Sequence, residues 1–206
     1  EILKNEVPGF KEINEEIDNC LDYWKEAHSK KIVDGLDLIK KEINRDKITC
    51  LRISDFNTTG LIGISKDKNS PWQNLIHGSG VSEKGLTSGG SKGIGKNASF
   101  VNSHFRTVFY STKTIDGEVG FEGICKLCSG KIKGSDQITQ GIGYYGLSEK
   151  NKPVLKEISL DKNYLRKDSD YGTDIYILGF KNEAKWKKEI VIKILESFMS
   201  AIIFEM

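Results

Sequence analysis

Gly89-Gly90-Ser91-Lys92-Gly93-Ile94-Gly95-Lys96-Asn97 is the stretch on which the reading of this chain turns. Its glycines let the backbone come close to a ligand, since no side chain stands in the way. Residues 98–105, which follow, carry apolar side chains at helical spacing. A glycine loop that runs into a helix presents free N–H groups and the positive end of the helix dipole to an anion such as phosphate. The same composition also suits a plain surface loop. The rest of the chain has to decide.

Working outward, residues 57–95 read as mostly loop, with a short helical turn around 71–76. Loops of that length serve as lids, as binding loops or as disordered segments. Upstream, the apolar spacing of Ile13, Ile17, Cys20, Leu21 and Trp24 predicts a helix over 10–25, and Ile32, Leu36, Ile39 and Ile43 predict another over 30–44. Residues 48–54 read as a strand that ends at Asp55. Downstream, 106–112 and 119–127 read as strands joined by an Asp116-Gly117 hairpin turn. Residues 129–152 read as a second flexible stretch around Gly141-Ile142-Gly143-Tyr144-Tyr145-Gly146, 172–180 as the last strand, and 186 to the end as a helix. Helices at both ends and strands between predict an α+β fold, a mixed sheet with helices on one side.

A chain of 206 residues fits one large domain or two small ones, with one core ample at this size, and a net charge of +2 argues for no strong attraction to nucleic acid or membrane. No apolar run approaches the roughly 20 residues that span a bilayer. Four scattered cysteines in apolar surroundings point to a reduced, cytoplasmic protein. The apolar, uncapped segment 190–206 suggests a domain cut from something longer.

Three short motifs carry chemistry. Glu15, Asn19 and Asp22 fall within roughly 60° of one another on the first helix, opposite its apolar stripe. A carboxylate beside a carboxamide suits a hydrolytic magnesium site, and it equally suits the wet face of a surface helix. Asp55, with Gly60 shortly after it, stands at a strand end, where a carboxylate can accept from the exocyclic amine of adenine; an Asx-type turn has the same composition. Thr173 opens the last strand within Gly172-Thr173-Asp174-Ile175 and brings a hydroxyl to a ligand rim.

In this order, Glu-x-x-x-Asn-x-x-Asp, Asp then Gly, the glycine-rich loop and Gly-Thr-x-Ile, nearly the whole chain resembles the GHKL ATPase superfamily and its Bergerat ATP-binding fold. Among its members the chain looks most like little-characterised bacterial ATP-binding proteins. The resemblance implies a two-layer α/β sandwich, a mixed, mostly antiparallel sheet and a long ATP lid. By that likeness Glu15 would be the general base for water, Asn19 the Mg²⁺ ligand bridging the ATP phosphates, and Asp22 a further residue of the nucleotide site. Asp55 would take the adenine amine, Gly60 would pack under the base and Thr173 would support the pocket. Gly90, Gly93, Ile94, Gly95 and Lys96 would form the phosphate-binding end of the lid. Asn57 stands at the place of the family's first glycine, and the second glycine is displaced by one. The expected activity is slow, Mg-dependent hydrolysis of ATP to ADP and phosphate, with lid closure as a switch. In the full-length protein a nucleotide-dependent homodimer is implied.

Three other readings compete. Residues 90–97 satisfy the G-x-x-x-x-G-K of a P-loop, with Asn97 where Ser or Thr should hold Mg²⁺. Cys125-Lys126-Leu127-Cys128 has the spacing of half a zinc or redox site but lacks a second pair. A non-hydrolysing nucleotide-binding module would keep the pocket without the activated water.

Overall fold

The computed structural model describes residues 1–66, 69–78, 95–132, 134–149 and 151–204. Helix α1 (Phe10–Glu26) buries Ile17, Cys20 and Leu21, the stripe expected from the spacing. It starts from Gly9 in the left-handed conformation, where a Cβ would stand 2.9 Å from the Tyr145 ring. Helix α2 (Lys30–Ile43) turns back on it through a three-residue link, burying Leu36 and Ile43. Lys40 ties the pair with hydrogen bonds to Asn14 and Asp18. Strands β1 (Ile2–Leu3) and β2 (Lys47–Ile48) form a small antiparallel ribbon beside them.

The main sheet holds β3 (Cys50–Ser54), β4 (Thr107–Lys113), β5 (Val119–Lys126), β6 (Ile142–Tyr145) and β7 (Gly172–Leu178), in the order β3-β7-β4-β5-β6. Every pairing in it is antiparallel. The expected parallel component is therefore not found among the described strands. Strand β6 lies where the sequence reads as a flexible stretch. Its glycines and tyrosines carry too little β-branched signal to announce a strand, and pairing with β5 supplies the order.

Side-chain alternation gives the sheet two covered faces. On the first face Phe109, Phe121, Tyr176 and Leu178 form one core with α1 and α2. On the second, Val108, Tyr110 and Ile124 pack with Ile64, Trp72, Ile76 and Phe100. Those last residues come from the 61–66 segment and from two short helices, α3 (Pro71–Ile76) and α4 (Asn97–Val101). Proline at the start of α3 and the Ser70 hydroxyl, which accepts from Gln73 N–H, explain that helix. Helices on one side thus describes α1 and α2 alone; the other face is roofed as well.

Helix α4 ends at Val101, short of the expected 105. Ser103 bridges to Phe180 and donates its hydroxyl to the Leu178 carbonyl, which takes the backbone out of the helix. Helix α5 (Trp186–Phe204) buries none of its residues and touches the body through Trp186, edge-on to Phe180. No described helix is long and apolar enough to cross a membrane.

Candidate functional site

The end of the sheet where β3 stops and β7 starts gathers residues from three distant segments. Asp55 Oδ1 accepts from the Thr173 N–H, 118 positions away, and Asp55 N–H donates to the Thr173 carbonyl at 3.1 Å. Asp55 Oδ2 takes part in no hydrogen bond among the described residues. Thr173 alternates with Tyr176 so that its side chain faces the second side. There its hydroxyl lies 3.2 Å from that of Thr112, which also accepts from Leu61 N–H at 2.9 Å. Gly60 closes the cluster: at φ 66° it passes so near β4 that a Cβ would stand 2.6 Å from the Lys113 carbonyl. Asn57 has φ 56°, the left-handed conformation that asparagine tolerates better than most residues. That accounts for asparagine at a position where the resemblance leads one to expect glycine. Beside Asp55, Ile53 on the second face is 49% exposed, an apolar floor at the sheet edge.

Behind this rim stands a residue that the sequence reading missed. Arg166 is buried, donates from Nε to Asp174 at 2.8 Å and from Nη2 to the Asp55 carbonyl at 2.9 Å, and lies 5.0 Å from the Phe56 ring. Asp174 is buried too and accepts from Ser54. A planar, multiply donating guanidinium is the group that can hold a carboxylate and a carbonyl at once. The signal for it was a rare arginine in a lysine-rich chain, inside a loop without periodicity.

Glu15, Asn19 and Asp22 lie elsewhere. Helix α1 covers the first face, whereas the Thr173 and Thr112 hydroxyls face the second. The α1 residues also sit toward the other end of the sheet: Cys20 Sγ reaches the Cys128 carbonyl and Asn19 Nδ2 donates to the Lys131 carbonyl at 2.6 Å. Thr173 is level with Thr112, and Thr107, at the other end of β4, is level with Cys125. The five-residue step from Thr107 to Thr112 spans about 17 Å. Glu15 is exposed and pairs only with Lys11 among the described residues. Asn19 and Asp22 line a separate hollow of about 400 Å³ with Lys131 and Asp136. The expectation that one ligand touches both α1 and the Asp55 rim is corrected by this placement: helical spacing put the three side chains on one face without fixing which face of the sheet the helix covers.

Gly90, Gly93 and Ile94 lie outside the described residues. Gly95 precedes α4, and Lys96 Nζ donates to the carbonyls of Asn74, Leu75 and Gly78 at the end of α3. Burial holds its ammonium below the usual lysine range, and the nearby Lys126 charge adds to this. Lys126, on the same face, donates to Asn97 Oδ1 at 3.2 Å. The described structure that most nearly precedes residues 90–97 is helix α3, whereas a P-loop leaves a strand. Close by, the fully buried Glu122 carboxylate stands 3.2 Å from His77 Nε2, and that ring lies against Tyr144. Cys125 and Cys128 are free thiols, and no cluster of three or more His, Cys, Asp or Glu side chains able to hold a metal occurs among the described residues.

Compared with known protein families, curated proteins and solved structures, the chain matches none.

Proposed function

We propose that this chain is an adenine-nucleotide-binding module of the GHKL kind, with the base on the second face at the Asp55 rim. The observation that carries the reading is the meeting of Asp55, Gly60 and Thr173 at one sheet end. These are the three positions that the resemblance assigns to the adenine pocket. Asp55 Oδ2 would accept from the adenine amine, Ile53 would support the ring, and the Thr173 hydroxyl would serve a ring nitrogen, with the buried Thr112 hydroxyl, which also donates to the Gly172 carbonyl, holding it in place. Gly95 and Lys96 share the second face but stand with Asn97 near Lys126, toward the opposite end of the sheet from Thr173, so the base and not the phosphates carries this reading.

Binding is favoured over hydrolysis as the activity of these residues. Asn19 Nδ2 donates to the Lys131 carbonyl on the first face, so a magnesium ion on the Asn19 amide oxygen would stand on the opposite face from this nucleotide, and Glu15 is no base for a nucleotide on the second face. Titration calorimetry with ATP, ADP and GTP tests the reading. ATP and ADP should bind and GTP should not, because guanine places a carbonyl where adenine has its amine. Equal affinity for GTP would remove Asp55 as the reader of the base.

A further inference from the structure

A second cleft, of about 660 Å³, lies on the first face between α1 and β6, away from the Asp55 rim. Its volume is in the range of ligand-binding clefts. The floor is Phe109, Gly123 and Tyr145, and the wall is Glu12 and Glu16 on α1. Among the described residues these two carboxylates are the only charged side chains lining it.

Strand β6 is an edge. One side pairs with β5 from Ile142 to Tyr145, and the other takes no partner strand among the described residues. Open edges accept further strands. Helix and edge run side by side, since Gly9 packs on Tyr145 and Cys20 Sγ meets the Cys128 carbonyl. Above Gly143 a Cβ would meet nothing within 4 Å, so the space over the edge is open.

We propose that this groove binds an extended basic peptide, which adds to β6 as a sixth strand of the sheet. Main-chain bonds to the edge give the grip, and side chains alternate between the two faces. Glu12 and Glu16 are one turn apart, about 6 Å along the helix. Residues i and i+2 of an extended peptide are about 7 Å apart on one face. Two lysines or arginines at that spacing therefore meet both carboxylates. The residues between them turn to the second face beside Tyr144 and Ile142, the latter exposed, and there apolar side chains fit. The ligand class is a segment alternating basic and apolar residues.

Fluorescence anisotropy of the full chain with labelled Val-Lys-Val-Lys-Val tests the proposal. Three controls accompany it: the same peptide with glutamates for lysines, an N-methylated form that keeps charge but cannot pair its backbone, and spermidine. The lysine peptide should bind, and the glutamate and N-methylated peptides should not. Spermidine, which has charge without a backbone, should not displace the lysine peptide at matched ionic strength. Glu12→Lys with Glu16→Lys should weaken the lysine peptide by roughly tenfold or more and admit the glutamate peptide. Glu12→Lys alone, at an exposed position, guards against misfolding of the double variant and should weaken binding by about threefold. Failure of the lysine peptide to bind overturns the proposal. So does equal binding of the N-methylated form, displacement by spermidine, or indifference to both charge reversals in a folded protein.

Discussion

Thr173 and Asp174 are consecutive in β7 and serve opposite faces of the sheet: the threonine hydroxyl meets Thr112 on the second face, and the aspartate meets Arg166 behind it. One residue of register thus separates the proposed ligand side from its support. Thr173→Val keeps the strand and removes the hydroxyl, so ADP affinity should fall by about tenfold, as expected for one lost hydrogen bond. Glu15→Ala, on the helix of the other face, should leave ADP affinity unchanged. Calorimetry on the two variants checks both, and a loss in Glu15→Ala would restore α1 to the site.

Asp55→Asn isolates the carboxylate. The amide oxygen can still accept from the Thr173 N–H, so the turn should hold. The amide nitrogen then replaces Oδ2 and faces the adenine amine donor to donor. ADP affinity should drop by about a hundredfold, near the cost of a buried unmatched donor. Thermal melting checks that the fold is intact.

Arg166→Met should be far more damaging to stability than to any single contact. It leaves the buried Asp174 carboxylate without its cation. Breaking such a pair from one side costs about 3–5 kcal/mol. Replacing both partners, Arg166→Met with Asp174→Leu, should recover most of that loss, because no charge then remains buried. Urea unfolding of the three proteins measures the difference.

The Glu122–His77 pair gives the same test on the second face. Neither Glu122 oxygen has a hydrogen-bond partner among the described residues, and the His77 imidazole stands 3.2 Å from the carboxylate. His77→Ala should destabilise by about 2–4 kcal/mol, and Glu122→Met by much less, since an apolar side chain suits that environment. If His77→Ala proves neutral in urea titration, the carboxylate is held by something other than the imidazole.

Alkaline stability follows from buried acids. Burial pushes the Cys50 thiol up to about 12 and the Cys125 thiol up to about 11, from an ordinary 9.0. It pushes the Tyr176 phenol up to about 12 from 10.0. Each folded value lies above the unfolded one, so the folded state holds more protons over that interval. The contribution is complete below pH 9 and is lost as pH rises toward 12. The urea midpoint should hold to about pH 9 and then fall steeply, and Cys50→Ala should flatten the fall.

Much of the fold is legible in the sequence because each element there carries a local cause. The stripe Ile13, Ile17, Cys20 and Leu21 marks α1, Ser70-Pro71 marks α3, and Asp116-Gly117 marks the β4–β5 hairpin. Strand β6 was illegible, because glycine and tyrosine gain order only from β5. Strand patterning marks the end of β3 before Asp55 and the start of β7 at Gly172-Thr173, whereas the grouping of Asp55, Gly60 and Thr173 comes from the resemblance and not from turn chemistry. The α1 triad misled, since periodicity says which side chains share a helix face and nothing about where that helix docks. Arg166 and the Glu122–His77 pair escaped for the same reason: their partners are 8 and 45 positions away and joined only by the folded sheet.

Helix α5 supports one more expectation. Ile190, Ile194, Phe198 and Ile202 form the apolar line that predicts a packed helix, yet all are exposed. Burial, and not propensity, supplies most helical stability in a folded protein. A stop after Lys187 retains Trp186 against Phe180 and removes residues that bury nothing. The melting temperature should therefore move by less than about 2 °C, the shift that roughly 0.5 kcal/mol gives a domain of this size. Binding of a hydrophobic dye to the native protein should fall, because the deleted turns carry a dense run of exposed apolar side chains from Ile190 to Phe204. A large drop in melting temperature would mean that the helix packs on the body in solution.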